Sequence, residues 1–177
     1  MFTQCQVYTN PTRESSQFAS REETVSTAQD EKEIRGLVDV FVEGWNSGDG
    51  ATCARPFAED AEFVAVTGLK AKGRDLIARG HAEILSTVFL GTRLEATFES
   101  LRFVRPDVAI ADVTMRVQYA DGRPFMPGQY PGYSSAGLVA VKDDGRWAIV
   151  AFRNLIPFGR LAAGPLEHAL MARQQNA

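Results

Sequence analysis

Phe57–Leu85 reads FAEDAEFVAVTGLKAKGRDLIARGHAEIL, and its reading decides the fold. It opens on an acidic corner at Glu59 and Asp60 and passes into the apolar run AEFVAVT. A run of that length, rich in β-branched and aromatic residues, is expected to be a strand buried on both faces. Gly68 and Gly73 bracket a loop. The segment RDLIARGHAEILSTVF then spaces its aliphatic residues as a helix does. His81 falls on that helix with Ile77, Ile84, Leu85 and Val88 at −4, +3, +4 and +7, so it shares their apolar face. Gly80 beside it is read as a mark of close packing.

Upstream, Ile34, Leu37, Val38, Phe41, Val42 and Trp45 form one apolar stripe, and NSGDG stops that helix. Asp30 is expected to cap its start, with Glu33 as the capping-box partner. A short helical piece, ATCARP, follows and breaks at Pro56. Before Asp30, residues 1–29 are rich in Ser, Thr, Glu and Gln without periodicity, and are expected to form a flexible arm. Downstream come the long strands TRLEATFESLRFVRP and DVAIADVTMRVQYADG. After the loop ADGRPFMPGQYPGYSS, a hairpin is expected over SSAGLVAVKDDGRWAIVAFRNLI, turning at DDG. PLEHALMARQQ is expected to form a terminal helix in an extension over 157–177. Helices first and a long antiparallel meander afterwards give an α+β domain over 30–156. Its curved antiparallel sheet wraps around the N-terminal helices and encloses a pocket at its wide end.

Composition narrows the function. The 177 residues carry 45% hydrophobic and 23% charged residues, with a formal charge of −3. That balance argues against a nucleic-acid surface, which needs a clustered basic patch. No apolar run reaches the length that spans a bilayer, and residues 1–29 lack the pattern of a secretory signal. Cys5 and Cys53 are a lone, distant pair, so neither a disulfide framework, a metal site nor a cofactor is expected, and the cytoplasm is the expected location.

The order FVEGWNSGD, FAEDAEFVAVTG, KGRDLIARGH, RPDVAIADV and GRWAIVAFRN resembles the nuclear transport factor 2-like superfamily over residues 30–156. This is the α+β cone shared by ketosteroid isomerases and SnoaL-type polyketide cyclases, and the motifs are most similar to the SgcJ/EcaC group. The resemblance implies a conical pocket and a homodimer packed through the sheet. It also implies a departure: three positions before Gly68, where ketosteroid isomerases carry their aspartate base, stands Ala65. A steroid-isomerase mechanism is disfavoured on that ground.

The candidate site follows. His81 is the acid–base candidate because imidazole titrates near neutral pH, and it is expected to reach the cavity near Asp60 or Asn154. Asp60 is either a turn cap or a carboxylate that orients His81. Trp45 and Phe63 are core or pocket wall. Alternation places Asp112, Thr114, Arg116 and Gln118 on one face of their strand, which meets solvent, a partner or a wet pocket. Arg116 is the ligand-binding candidate there. Alternation puts Asn154 with Val150 and Phe152, on the face opposite Trp147, Ile149, Ala151 and Arg153, and the resemblance, which places a polar residue there, implies that Asn154 faces the pocket. Two functions remain open: an isomerase- or cyclase-like enzyme acting on an apolar or polycyclic ligand, and a non-catalytic ligand-binding or dimeric assembly module.

Overall fold

The computed structural model describes residues 13–123, 125 and 132–157, with side chains from Thr27 onward. The expected extension over 158–177 and the centre of the 120–135 loop lie outside the described residues. Helix α1 spans Arg13–Ser47, α2 Gly50–Ala54 and α3 Arg74–Ser86. The strands are β1 (Phe57–Val64), β2 (Lys70–Lys72), β3 (Thr92–Arg105), β4 (Val108–Tyr119), β5 (Tyr133–Asp143) and β6 (Arg146–Leu155). They form one six-stranded sheet in the order β2-β1-β6-β5-β4-β3. All neighbours pair antiparallel except β1 with β6, so the meander is closed by a parallel partner and the sheet is mixed. The α+β architecture is as the sequence implies.

One face of the sheet is the core. The α1 stripe Ile34, Val38, Phe41 and Trp45 packs on it, together with Ala109, Ala111, Val113, Met115 and Val117 of β4. The polar row Asp112, Thr114, Arg116 and Gln118 therefore lies on the other face. Glu95 stands opposite Arg116 across the ladder, and Ser100 donates to Asp112 at 2.7 Å. The α1 terminus is tied to β3 by Asn46, which donates to the Leu94 carbonyl and accepts from its N–H at 2.8 Å. Asp49 then caps α2, accepting from Ala51 N–H and the Thr52 hydroxyl.

Asp30 is not a helix start. The upstream residues include Glu, Gln, Arg and Ala, good helix formers that carry α1 back to Arg13 without an apolar stripe. The Asp30 carboxylate is buried and accepts from Lys142 Nζ at 2.6 Å and Trp147 Nε1 at 2.9 Å. Burial pushes its carboxyl upward, but the hydrogen bonds from Lys142 and Trp147 and the ammonium charge outweigh this and hold it below the usual range. Asp30 thus bolts α1 to the β5–β6 hairpin. Glu33 is engaged by Gln29 instead of by a cap.

Besides two register shifts on β3, irregularities on β6 and β1 break strict alternation. On β6, Ile149 pairs with Ala140 and Ala151 with Val139, so Val150 is an extra residue. On β1, the register with β6 shifts between Phe57 and Glu62. A bulge re-aims everything beyond it. As a result Trp147, Ile149 and Phe152 are all buried on the core face, where unbroken alternation would have separated them. The β1 run is also not buried on both faces, since Glu59, Asp60 and Glu62 are exposed.

Candidate functional site

Between α1, α3 and the concave sheet lies a cavity of about 450 Å³. That is within the size range of pockets that enclose small ligands. Its aromatic wall combines Phe41 and Trp45 of α1, Phe63 of β1, Phe89 after α3 and Phe152 of β6. Phe63 and Phe152 stack with centroids 5.1 Å apart and planes 7° apart. Met115 and Val117 of β4 and Leu94 of β3 complete the sheet side. Ala65 contributes only a methyl group to this wall. Among the described residues, no aspartate or glutamate lines the cavity, and no cluster of three or more metal-ligating side chains occurs.

The polar groups are few and come from opposite sides. His81, 4% exposed, reaches the cavity from α3. Its Nδ1 lies 2.8 Å from the Ile77 carbonyl one turn back on the same helix. A carbonyl can only accept, so Nδ1 carries the proton and Nε2 bears a lone pair. Among the described residues Nε2 has no hydrogen-bond partner. Phe41 and Phe63 meet the ring edge-on at 5.2 and 5.0 Å. Burial lowers the His81 pKa, and the bond to Ile77 offsets this only in part, so the ring is neutral at pH 7. Facing it from the sheet are Ser134 of β5 and Asn154 of β6. Asn154 pairs with Ala136, two residues along from Ser134, which makes the two side chains diagonal neighbours on one face. Asn154 Oδ1 is buried without a hydrogen-bond partner. The O and N ends of an amide are assigned rather than seen, but either end in that position is a polar atom awaiting a partner.

Of the six candidates from the sequence, four line the cavity and two do not. His81, Phe63 and Asn154 meet in the cavity. Trp45 also lines it, but its Nε1–H is engaged by Thr92 Oγ1 at 3.2 Å, so it serves as wall. Asp60 is exposed on β1 outside the cavity, so the expected carboxylate–imidazole contact is not formed. Arg116 is exposed on the outer face, because the even-numbered residues of β4 point away from the helices. Gly80 is not a close-packing glycine: a Cβ there would meet nothing within 4 Å, and the open space belongs to the cavity rim. Sequence reading missed Ser134, which alternation with Ala136, Leu138 and Ala140 marks as inward-facing. Phe152 shares the pocket face with Asn154 as expected, and the bulge sets Trp147 and Ile149 on the same side. Cys53 is no nucleophile, since burial raises its thiol pKa to about 12.

The buried neutral imidazole has a measurable consequence. The unfolded chain takes up a proton on His81 below the ordinary pKa of 6.5, and the folded protein resists doing so. Stability is therefore full above that pH and declines as pH falls below it, because the unfolded state binds more protons. His81→Leu is expected to flatten this decline between pH 6.5 and the lowered folded value. Urea unfolding of both proteins at stepped pH values checks it, and parallel pH profiles would show that His81 is not the group responsible.

No protein-family model matches the chain, and no curated protein matches it. Solved structures do. A domain of unknown function with a cystatin-like fold from Nostoc punctiforme is 30% identical, with a TM-score of 0.64, over 84% of this chain and 98% of that one. An uncharacterised cystatin-like protein from Caulobacter vibrioides is 28% identical, with a TM-score of 0.64, over 78% and 97% of the two chains. A nuclear transport factor 2-like protein of unknown function from Shewanella oneidensis, 18% identical with a TM-score of 0.58 over 71% and 98%, shares the fold. The mixed sheet packed on α1 and α3 and the likeness to the Nostoc protein agree: the chain belongs to the family of proteins with a cystatin-like fold.

Proposed function

We propose that this protein binds a flat, mainly apolar small molecule whose one polar group is held between His81 on one side and Ser134 and Asn154 on the other. The observation that carries the reading is the buried, partnerless amide atom of Asn154. Leaving such a group unpaired costs about 1–3 kcal/mol, a strain that a ligand or solvent inside the cavity relieves. The stacked Phe63 and Phe152 rings favour planar aromatic surface beside them. Among ligand groups a hydroxyl fits well, because Asn154 Oδ1 and His81 Nε2 are both acceptors and the O–H donates its one proton to either of them. A phenolic bicycle such as 2-naphthol tests this against its hydrocarbon parent, naphthalene. The wild-type protein is expected to bind 2-naphthol about tenfold more tightly, the equivalent of one net hydrogen bond. Asn154→Leu should abolish that preference while keeping or raising unliganded stability. Equal affinities in the wild type would overturn the polar half of the proposal, and no saturable binding of either compound would overturn all of it.

A catalytic reading is favoured by one observation. The bond to Ile77 fixes the tautomer and leaves Nε2 as a neutral base facing the ligand. An isomerase- or cyclase-like proton transfer in secondary metabolism, of the kind suggested by likeness to the SgcJ/EcaC group, would run through that atom. The absence of a carboxylate among the described lining residues makes binding the first reading and catalysis the second.

The same proposal includes a homodimer and a cytoplasmic setting. Among the described residues no helix is long and apolar enough to cross a membrane, and Cys53 is a free thiol. On the outer sheet face, Val108 pairs with Val141 and Ile110 with Val139, which sets a half-buried aliphatic patch beside the polar row. Light scattering at micromolar concentration is expected to give the mass of a dimer. A stable monomer would count against the patch as an interface.

A further inference from the structure

At His81 the Nδ1–H is engaged by the Ile77 carbonyl at 2.8 Å, so Nε2 offers a lone pair and has no hydrogen to give. The opposite tautomer would set two lone pairs against each other at Ile77. Phe41 and Phe63 meet the ring edge-on and bring no donor to Nε2. Across the cavity Asn154 Oδ1, also an acceptor, is buried without a partner. The Ser134 hydroxyl can donate or accept, so it serves either kind of ligand. A cation is missing from this wall as well. Among the described residues the one lysine or arginine that lines the cavity is Lys70, which is exposed on the edge strand β2.

A ketone or ether placed here would face His81 lone pair to lone pair. An ionised carboxylate would lose its hydration without gaining an opposite charge. A group with a hydrogen to give meets neither cost. We infer that the cavity discriminates by hydrogen-bond sense: it takes neutral donors such as phenols, enols or arylamines, and rejects the ketone, ether or carboxylate of the same skeleton. His81 sets this specificity, because its tautomer is fixed from behind whereas the Asn154 amide can turn either end to a ligand. A ligand that exists as a keto–enol pair would be held as the enol, which draws the equilibrium toward that form. The inference rests on the binding reading above and deepens it by naming the class of ligand.

Titration of the full chain with 2-naphthol, 2-tetralone, 2-methoxynaphthalene and naphthalene tests it. The two acceptor-only compounds are expected to bind at least about threefold more weakly than 2-naphthol. His81→Leu should close that gap, and Ser134→Ala should keep it. A smaller gap in the wild type, or a gap that survives His81→Leu unchanged, overturns the inference. If the acceptor-only compounds match 2-naphthol and all three outbind naphthalene, the binding reading stands and the donor rule alone falls. If none of the four binds, both fall. A second measurement needs no ligand. Nitrogen-15 correlation spectra of the histidine rings should show His81 protonated at Nδ1 and bare at Nε2, and a proton on Nε2 overturns the inference whatever the cavity binds.

Discussion

Phe152→Ala is expected to destabilise the protein by about 3–5 kcal/mol, the range for deleting a buried aromatic ring from a core. The ring is 1% exposed and belongs to the aromatic cluster. It stacks on Phe63 at 5.1 Å, lies 5.8 Å from Phe41 and meets Phe57 edge-on at 6.0 Å. No neighbour can collapse into the space, because one side of the ring already borders the cavity. Equilibrium unfolding in urea should show a lower midpoint with an unchanged slope. A loss below about 1 kcal/mol would mean that the ring is cavity lining without a packing role. The β6 bulge is then implicated too, since Phe152 shares the core face with Trp147 and Ile149 only because Val150 is extra to the β5–β6 ladder.

Gly50→Ala should be the other severe change. A Cβ at Gly50 would run into the backbone of α3 at Ala78 O and Ala82 N and stand 2.9 Å from Ala82 Cα. None of these atoms can swing aside as a side chain would, so α2 and α3 must separate. Overpacking of this kind costs about 1–3 kcal/mol. Since α3 carries His81, the separation also moves Nε2 away from Ser134 and Asn154, and affinity for a hydroxylated ligand should fall together with stability. Gly36→Ala is the internal control. Nothing lies within 4 Å of a Cβ there, and removing a helical glycine should add up to about 1 kcal/mol. Thermal unfolding of the two variants in parallel checks the sign of each. A stable Gly50→Ala protein would mean that the helix pair has slack.

How much of this was legible beforehand depends on the range of the interaction. Local signals carried through. DDG gave the β5–β6 turn, where Asp144 and Gly145 adopt φ of 46° and 77°, and the α1 stripe named its buried residues. Alternation separates the two faces of β4 but does not say which is inner: Met115 is buried, whereas Arg116, the ligand-contact candidate, is exposed on the outer face. Bulges defeat the same rule, because an extra residue is a property of two strands together. The shift on β6 sets Trp147 and Ile149 on the same side as Phe152, against strict alternation. Asp30 shows the limit most clearly. Its local context read as a helix cap, but its partners stand 112 and 117 residues away, where no spacing rule reaches. His81 falls between these cases: its face and cavity position were readable, while its partner is its own helix and not the expected Asp60.

The central claim is that the cavity holds an apolar ligand by one polar group at its inner wall. The most direct measurement is a crystal structure of the full chain grown with saturating 2-naphthol. The bicycle should lie beside the stacked Phe63 and Phe152 rings, with its oxygen about 2.7–3.2 Å from His81 Nε2 or from the Asn154 amide. A cavity that stays free of the compound, or a hydroxyl turned toward the mouth with Asn154 still unpartnered, would contradict the account.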